Sequence, residues 1–319
     1  MKIVFMEADT LGNDVDLSMF QQFGEIVTYA KSEPEVNAKR IEDADVIIVN
    51  KIPMNEETLR LAKNLKLICI TATGTNIVDF NYTNARGIDV RNVKNYSTDS
   101  VVQHTFALLF YVYEKLSFYD EFVKSGNYAK SDIFSVFSNK FHEIAGKTWG
   151  IIGLGAIGKG VAKIATAFGA NVIYYSTSGR NNDSIYQQVD LDTLLESSDI
   201  ISIHAPLNEK TLDLIGEKEF EKMKSSAVLL NLGRGPIVNE QALATALLEN
   251  KIQAAGLDVL TVEPMVPENP LLKIQDSTKL IITPHIAWAT VEARTRCVKE
   301  VHKNIEAFIK GEERNCVRG

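Results

Sequence analysis

Cysteine is scarce in this chain. Its 319 residues include three cysteines, Cys69, Cys297 and Cys316. An odd number at no metal-binding spacing argues against a disulfide framework and fits a reducing compartment, so a cytoplasmic location is expected. No cluster of His, Cys and carboxylate residues has metal-ligand spacing either, and the sequence predicts no metal site.

An excess of positive charge and long apolar runs are also absent. The chain has 34 Lys and Arg against 41 Asp and Glu, a net charge of −7. Because nucleic acids and anionic membranes attract clustered Lys and Arg, this balance argues against either as a main partner. No apolar run reaches the length that spans a membrane. The first seven residues, MKIVFME, lack the apolar region of a secretory signal.

What the chain does have is enough length and apolar content, 45%, for two domains. Apolar β-branched runs alternate with helical patterns, which indicates α/β architecture with parallel sheets covered on both faces. Strands are predicted at 2–6, 46–49, 67–70, 90–93, 149–152, 171–175, 200–203, 228–230, 254–259 and 280–282. Helices are predicted at 56–62, 100–124, 157–168, 239–250 and 291–309. The helix at 100–124 is apolar around much of its surface, which is typical of a linker or subunit-interface element.

One segment has the pattern of a dinucleotide-binding turn. Gly153, Gly155 and Gly158 stand in G-x-G-x-x-G register between an apolar strand and a predicted helix. The first glycine allows a tight turn, the second lets backbone approach a pyrophosphate, and the third lets helix and strand pack closely. The helix N-terminus, with Ala156 and Ile157, would supply free N–H groups to the phosphates. The alternative is a purely structural glycine-rich turn.

Three residues in the second half could carry chemistry. Arg234, Glu263 and His285 each follow a predicted strand, and the carboxyl ends of parallel strands border the ligand crevice of an open sheet. Arginine can bind a carboxylate and polarise a carbonyl, whereas histidine can protonate a developing alkoxide. A glutamate beside that histidine would fix its tautomer and favour the charged form. Alternatively, these residues are a surface cation, a solvated loop acid and a turn residue.

These segments together resemble the D-isomer-specific 2-hydroxyacid dehydrogenases. The resemblance covers nearly the whole chain and rests on GLGAIG at 153–158, NLGRG at 231–235, GLDV at 256–259 with Glu263-Pro264, and TPH at 283–285. It implies two Rossmann-like domains with doubly wound parallel sheets. The discontinuous outer domain, 1–98 plus 286–319, would bind substrate. The domain at 99–285 would bind the dinucleotide and include the long interdomain helix and a dimerisation arm at 126–145.

The resemblance also implies roles for individual residues. His285 would be the acid/base, Glu263 its partner and Arg234 the substrate-binding arginine, and Asp258 would help to hold the nicotinamide carboxamide. Segments 72–79, 95–101 and 285–289 resemble the glycerate dehydrogenase (hydroxypyruvate reductase) branch. By the resemblance to the family, the backbone amides of Thr73 and Gly74 would bind the substrate carboxylate, because a glycine after a strand exposes amides to an anion. A plain strand-end turn is the alternative for that loop. Trp288 would line the substrate pocket.

The expected activity is NAD(P)H-dependent interconversion of small 2-keto acids and D-2-hydroxy acids by a homodimer, with hydroxypyruvate or glyoxylate favoured. A lactate-type, formate or phosphite dehydrogenase on the same scaffold stays open. So does an NAD(H)-sensing binding protein resembling the family's corepressor relatives.

The cofactor loop departs from the pattern of NAD-binding folds. Such folds place Asp or Glu at the end of the second strand to bind the ribose 2′-hydroxyl, and that position holds Ser176 here. With no carboxylate to repel a 2′-phosphate, the loop predicts that NADPH is accepted and slightly favoured over NADH. The alternative is a solvated turn with NAD bound through ribose hydroxyl contacts. Further cofactor contacts are expected at Thr105, Thr177, Ser178, Arg180, His204, Pro206, Thr211 and Asp258. His104 is expected to be a packing or capping residue, and contact with substrate or cofactor is the alternative.

Overall fold

The computed structural model describes residues 1–180 and 183–319, and these form two compact units. One unit comprises Met1–Ser97 and Ala289–Gly319, and the other comprises Thr98–Trp288. The sequence places the division at 98/99 and 285/286. Which unit binds substrate and which binds the dinucleotide stays a prediction.

Strands and helices alternate along the chain. The strands are β1 (Lys2–Phe5), β2 (Glu25–Thr28), β3 (Val46–Val49), β4 (Leu67–Ile70), β5 (Asp89–Arg91), β6 (Thr148–Ile152), β7 (Asn171–Tyr175), β8 (Gln187–Gln188), β9 (Ile200–Ile203), β10 (Val228–Asn231), β11 (Ala254–Leu257) and β12 (Leu280–Ile282). The helices are α1 (Pro34–Arg40), α2 (Glu56–Leu59), α3 (Phe80–Ala85), α4 (Thr98–Tyr113), α5 (Leu116–Lys124), α6 (Ala156–Ala167), α7 (Leu191–Ser197), α8 (Glu217–Lys222), α9 (Glu240–Leu248) and α10 (Val291–Ile309).

The first unit is built on a parallel sheet with strand order β2-β1-β3-β4-β5. Strands β3 and β4 read VIIV and LICI, and all their residues are buried, as expected for strands covered on both faces. Helix α10 returns to this unit and packs against β4, which makes the unit discontinuous in sequence.

The second unit has a larger parallel sheet with strand order β12-β11-β10-β9-β6-β7-β8. From β6 the chain runs outward through β7 and β8, then returns to place β9 on the other side of β6. The strand order therefore reverses between β6 and β9, and ligands of open parallel sheets bind outside the carboxyl ends of strands at such a point. The predicted α/β class, with two doubly wound parallel sheets and a discontinuous outer domain, is confirmed.

The prediction of one continuous helix at 100–124 is wrong. Helix α4 ends at Tyr113 and α5 begins at Leu116, because Lys115 adopts a left-handed conformation with φ +56°. A residue in that region cannot continue a right-handed helix. The Nζ atom of Lys115 donates to the carbonyl oxygen of Thr278 at 2.9 Å, a tertiary contact that holds the break. Only α4 is buried along its length; α5 has no buried residue.

The apolar pattern of α6 is only partly a core face. Val161 and Ala165 are fully buried, whereas Ile164 is 37% exposed. Phe168 follows the helix, is 46% exposed, and packs against the rings of Phe106 and Phe110. Several short elements have no counterpart among the predicted ones: β2 and β8 lie at sheet edges, and α1, α3, α7 and α8 span six or seven residues each.

Candidate active site

The three glycines of the turn after β6 differ in the space around them. Gly153 has φ +93°, and a Cβ there would lie 2.9 Å from backbone atoms of Ala205. A Cβ on Gly158 would collide with the carbonyl oxygen of Gly153. Gly155, the N-cap of α6, would direct a Cβ at no atom of the described residues within 4 Å. Packing thus requires the first and third glycines, whereas the second borders open space at a helix N-terminus, where an anion is favoured.

The end of β7 carries an unpaired buried hydroxyl. Ser176 is 6% exposed, and its Oγ atom has no hydrogen-bond partner among the described residues. The backbone N–H of Gly179 donates to the carbonyl oxygen of Ser176 at 3.2 Å, which closes a turn. Thr177 is half-buried, Ser178 and Arg180 are exposed, and the Arg180 N–H donates to Ser178 Oγ at 3.2 Å. The loop thus presents hydroxyls and a cation, and no carboxylate from 176 to 180.

A second unpaired polar side chain follows β9. Both ring nitrogens of His204 are shielded from solvent and have no partner among the described residues, although other ring atoms are partly exposed. Burial lowers the pKa of His204 to about 3, so the ring is neutral. Buried polar atoms are normally hydrogen-bonded, and unpaired ones indicate a partner that protein groups do not supply.

Two other expected cofactor contacts, Thr105 and Thr211, have hydroxyl groups that are already hydrogen-bonded within the protein. The Thr211 hydroxyl, fully buried, donates to the Pro206 carbonyl oxygen at 2.7 Å and accepts from the Asn208 N–H at 2.8 Å. The Thr105 hydroxyl, also fully buried, donates to the Val101 carbonyl oxygen within α4 at 2.8 Å. Both hydroxyls stabilise their own segments of the chain.

The loop after β10 is held by a residue whose role the sequence did not reveal. Asn231 is 1% exposed; its Nδ2 donates to the Arg234 carbonyl oxygen at 3.0 Å and its Oδ1 accepts from the Gly233 N–H at 3.1 Å. These bonds fix the backbone on both sides of the arginine. The exposed Arg234 side chain donates from Nη1 to the Gly233 carbonyl oxygen at 2.8 Å.

His285 and Glu263 are in direct contact. The Nδ1 atom of His285 lies 2.7 Å from Oε2 of Glu263, and the other carboxylate oxygen accepts from the Leu260 N–H at 2.9 Å. The glutamate is therefore anchored to backbone while it holds the imidazole. With Nδ1 occupied, Nε2 is the nitrogen left to exchange a proton with a ligand.

The backbone of His285 is unusual. Its φ is +54°, a left-handed conformation that is rare for residues other than glycine. Its N–H donates to the carbonyl oxygens of Asp258 at 2.8 Å and Thr283 at 2.9 Å. The Asp258 carboxylate also holds the loop on both sides of the histidine, accepting from Thr283 Oγ1 at 2.6 Å, the Ile286 N–H at 2.8 Å and the Ala287 N–H at 2.9 Å. A strained backbone conformation that several hydrogen bonds hold in place is typical of functional sites.

In the first unit, the loop after β4 has a fixed peptide. The buried Asn92 donates from Nδ2 to the Thr73 carbonyl oxygen at 2.7 Å, and Thr73 Oγ1 donates to the Val93 carbonyl oxygen at 2.9 Å. Because the two groups of a trans peptide point in opposite directions, a fixed Thr73 carbonyl also fixes the N–H of Gly74. In the second unit, Trp288 is half-buried and packs against the core near Ala287.

The carboxyl edge of the second sheet thus brings several predicted residues to neighbouring strands: Arg234 follows β10, Asp258 and Glu263 follow β11, and His285 follows β12. Among the residues that the structure describes, no three His, Cys, Asp or Glu side chains are grouped as metal ligands would be.

Comparison with known families bears on this arrangement. Residues 106–287 match the model of the D-isomer specific 2-hydroxyacid dehydrogenase NAD binding domain, and this range includes every site element of the second unit from the glycine turn to His285. The chain belongs to the D-isomer-specific 2-hydroxyacid dehydrogenase family. The predictions of family, enzyme class and nicotinamide cofactor are therefore confirmed.

Several known proteins resemble the chain over its whole length. Glycerate dehydrogenase of Methylorubrum extorquens is 38% identical over 99% of this chain and 98% of its own length. A solved D-lactate dehydrogenase from Aquifex aeolicus, complexed with NAD and lactic acid, is 29% identical with a TM-score of 0.86 and 99% coverage of both chains. A solved acyclic imino acid reductase in complex with NADPH and D-Arg is 32% identical, with a TM-score of 0.87 and coverage of 99% and 100%.

The residues of this dehydrogenase fit a dinucleotide on three counts: the open space at Gly155, the unpaired hydroxyl of Ser176 and the unpaired nitrogens of His204. Within 1–180 and 183–319, no helix combines the length and apolar character that crossing a membrane requires.

Proposed function

We propose that this enzyme reduces hydroxypyruvate to D-glycerate, with glyoxylate as a second substrate. The observation that carries the chemistry is the 2.7 Å contact between His285 and Glu263 on a loop after β12. The substrate class is supported by the 38% identity to a glycerate dehydrogenase over almost the full chain.

In this proposal, Arg234, Glu263 and His285 of the second unit each have a separate role in ketone reduction. A bound reduced nicotinamide supplies a hydride to the keto carbon. Arg234 forms charge-assisted hydrogen bonds to the substrate carboxylate and polarises the neighbouring carbonyl. Glu263 holds His285 through Nδ1 and fixes its orientation, and the imidazole gives its Nε2 proton to the carbonyl oxygen as it becomes an alcohol.

Two further substrate contacts are part of the proposal. The N–H groups of Thr73 and Gly74 bind the carboxylate, and the Gly74 contact is supported by the hydrogen bond from Asn92 that fixes the Thr73–Gly74 peptide. Trp288 lines the pocket and limits the size of the substrate side chain.

NADPH is the favoured cofactor in this proposal. Gly153, Gly155 and Gly158, with Ala156 and Ile157, bind the pyrophosphate. The 2′-phosphate is bound by the hydroxyls of Ser176, Thr177 and Ser178 and by the guanidinium of Arg180, and no carboxylate in this loop repels it. Among the residues that the structure describes, Oδ2 of Asp258 accepts from one donor, the Ala287 N–H, which leaves it able to accept from the nicotinamide carboxamide. His204 and Pro206 border the adenosine, and Thr105 and Thr211 shape the walls.

We further infer that the enzyme is a homodimer. The segment between α5 and β6 exposes large apolar side chains: Phe134 is 89% exposed, Phe137 78%, Ile133 59% and Phe141 54%. Contiguous apolar exposure of this kind on one segment marks an interaction surface, and a symmetric second copy is its most economical partner.

A matrix of substrates and cofactors tests the proposal. Initial rates are measured with hydroxypyruvate, glyoxylate, pyruvate and phenylpyruvate, each with NADH and NADPH. The highest kcat/KM is expected for hydroxypyruvate. A clear preference for pyruvate would indicate a lactate-type enzyme, and turnover only in formate or phosphite oxidation would replace the reaction. Cofactor binding with no turnover on any of these compounds would favour a nucleotide-sensing protein.

A further inference from the structure

We propose that His104 is a positioning residue for the proton donor: through the hydroxyl of Thr283 it orients the Asp258 carboxylate, which holds the loop that carries His285. This inference rests on the role of His285 proposed above. The sequence pattern predicts that His104 is a packing or capping residue of the helix. In the folded unit its ring is hydrogen-bonded to Thr283, which indicates a more specific role.

The direction of each hydrogen bond follows from counting protons. Thr283 Oγ1 lies 2.6 Å from Asp258 Oδ1, and because an ionised carboxylate can only accept, the hydroxyl donates its one proton there. Thr283 Oγ1 must then accept in its 2.9 Å contact with Nε2 of His104. The proton of a neutral His104 is therefore on Nε2, and the chain of donors runs from His104 to Thr283 to Asp258.

The surroundings of His104 suit a neutral donor. Its side chain is 20% exposed, and burial lowers its pKa, against a smaller opposing effect of the Asp258 charge. The Nε2 atom is 3.6 Å from Asp258 Oδ1, beyond direct hydrogen-bond distance, so Thr283 is the link between them.

Loss of His104 should affect His285, the proposed proton donor, through the loop that carries it. The same Asp258 carboxylate accepts from the Ile286 and Ala287 N–H groups, which directly follow His285 in the chain. A carboxylate free to rotate would hold those amides less well, and His285 would then leave its left-handed conformation for part of the time. Loss of His104 should therefore lower the rate of proton donation more than the binding of substrate.

A double-mutant cycle in the full-length enzyme tests the chain of bonds. His104→Leu and Thr283→Val remove one donor and one bridging hydroxyl, whereas His104→Gln and Thr283→Ser keep them. One lost hydrogen bond corresponds to a fall of about fivefold, and this fall is expected in kcat for both removing variants, with KM changed less than about twofold. The double variant should be no slower than the slower single variant. Additive losses, or a normal kcat in His104→Leu, would overturn the proposal.

A readout independent of turnover separates this inference from the proposed function. In ¹⁵N-histidine NMR spectra of the wild-type protein at neutral pH, His104 should be the neutral tautomer with its proton on Nε2. The His285 ring resonances should shift or broaden in His104→Leu and stay unchanged in His104→Gln. A proton on Nδ1, or identical His285 spectra in all variants, would refute the positioning role. If the wild type reduces no 2-keto acid, the proposed function is wrong. The NMR spectra do not depend on turnover and still test the positioning role of His104.

Discussion

The imidazole of His285 and the carboxylate of Glu263 meet at 2.7 Å although they follow different strands, β12 and β11. The contact depends on the parallel neighbours β11 and β12 ending at the same edge of the sheet. Each partner is also tied to backbone: Glu263 accepts from the Leu260 N–H, and the His285 N–H donates to the Asp258 carbonyl oxygen. The pair is therefore preorganised before any ligand binds, which is the condition for efficient proton transfer.

The glycine turn offers a test that separates folding from cofactor binding. Because a Cβ on Gly155 meets no atom within 4 Å in the part of the chain that the structure describes, Gly155→Ala should leave the free energy of unfolding within about 0.5 kcal/mol of wild type. The methyl group would occupy the space of the pyrophosphate, so cofactor affinity should fall at least tenfold.

Gly158→Ala is the matched control, since its methyl group would collide with the Gly153 carbonyl oxygen. It should cost about 1–3 kcal/mol of stability. Urea unfolding and a fluorescence titration with cofactor measure both quantities. Wild-type cofactor affinity in Gly155→Ala would contradict the assigned site.

The cofactor loop predicts a switch in preference. Ser176→Asp places a carboxylate at the end of β7, where it would repel a 2′-phosphate and accept from a ribose 2′-hydroxyl. We expect kcat/KM for NADPH to fall at least tenfold, about 1.4 kcal/mol in transition-state binding, while that for NADH is kept. Ser178→Asp, on an exposed position in the same loop, should change the ratio less. A wild-type preference for NADH of more than about tenfold would contradict the proposed use of NADPH.

The low pKa of the buried His204 ring predicts that the protein loses stability in acid. Burial lowers the pKa of His204 from 6.5 to about 3, so the unfolded chain binds a proton between these pH values and the folded chain does not. The free energy of unfolding should therefore fall as pH drops below about 6.5, by about 2 kcal/mol at pH 5 from this group alone.

Urea unfolding at pH 7 and pH 5 measures this effect in wild type and in His204→Leu. The variant should lose correspondingly less stability between the two pH values. Equal losses in the two proteins would show that the ring is not held neutral by burial.

The exposed aromatic segment predicts the oligomeric state. Static light scattering should give a mass twice that of the chain for the wild type. Replacing Phe134 and Phe137 by serine should yield monomers, because the dimer would lose its largest apolar contacts. Ile185 is 79% exposed but lies outside this segment, and Ile185→Ser should leave the dimer intact. A monomeric wild type would remove the segment as a subunit interface.

The parts of the site that could be predicted from sequence are those that local pattern specifies. The glycine register at 153–158 and the residues that follow apolar strands are of this kind, since strand ends in a parallel sheet share an edge. The bounds of α10 were also predicted to the residue, from an amphipathic pattern that places Val298, Val301, Ile305 and Ile309 on one face.

The remainder depends on which elements become neighbours. Asn231 could be seen in its motif, but its two bonds to the Arg234 loop depend on a turn that only the fold specifies. The link from His104 to Thr283 joins residues 179 positions apart. The helix break at Lys115 has no signal in the sequence, because lysine is a good helix former and the left-handed conformation is held by a tertiary bond to Thr278.

The central claim is that His285 donates the proton in reduction of a 2-keto acid, and its removal tests this most directly. In His285→Ala, kcat for hydroxypyruvate reduction should fall by about 10²- to 10⁴-fold, the usual contribution of a positioned acid. Cofactor affinity, measured by fluorescence titration of the same preparation, should stay close to that of the wild type. Turnover within a few fold of wild type, with cofactor bound, would contradict the account.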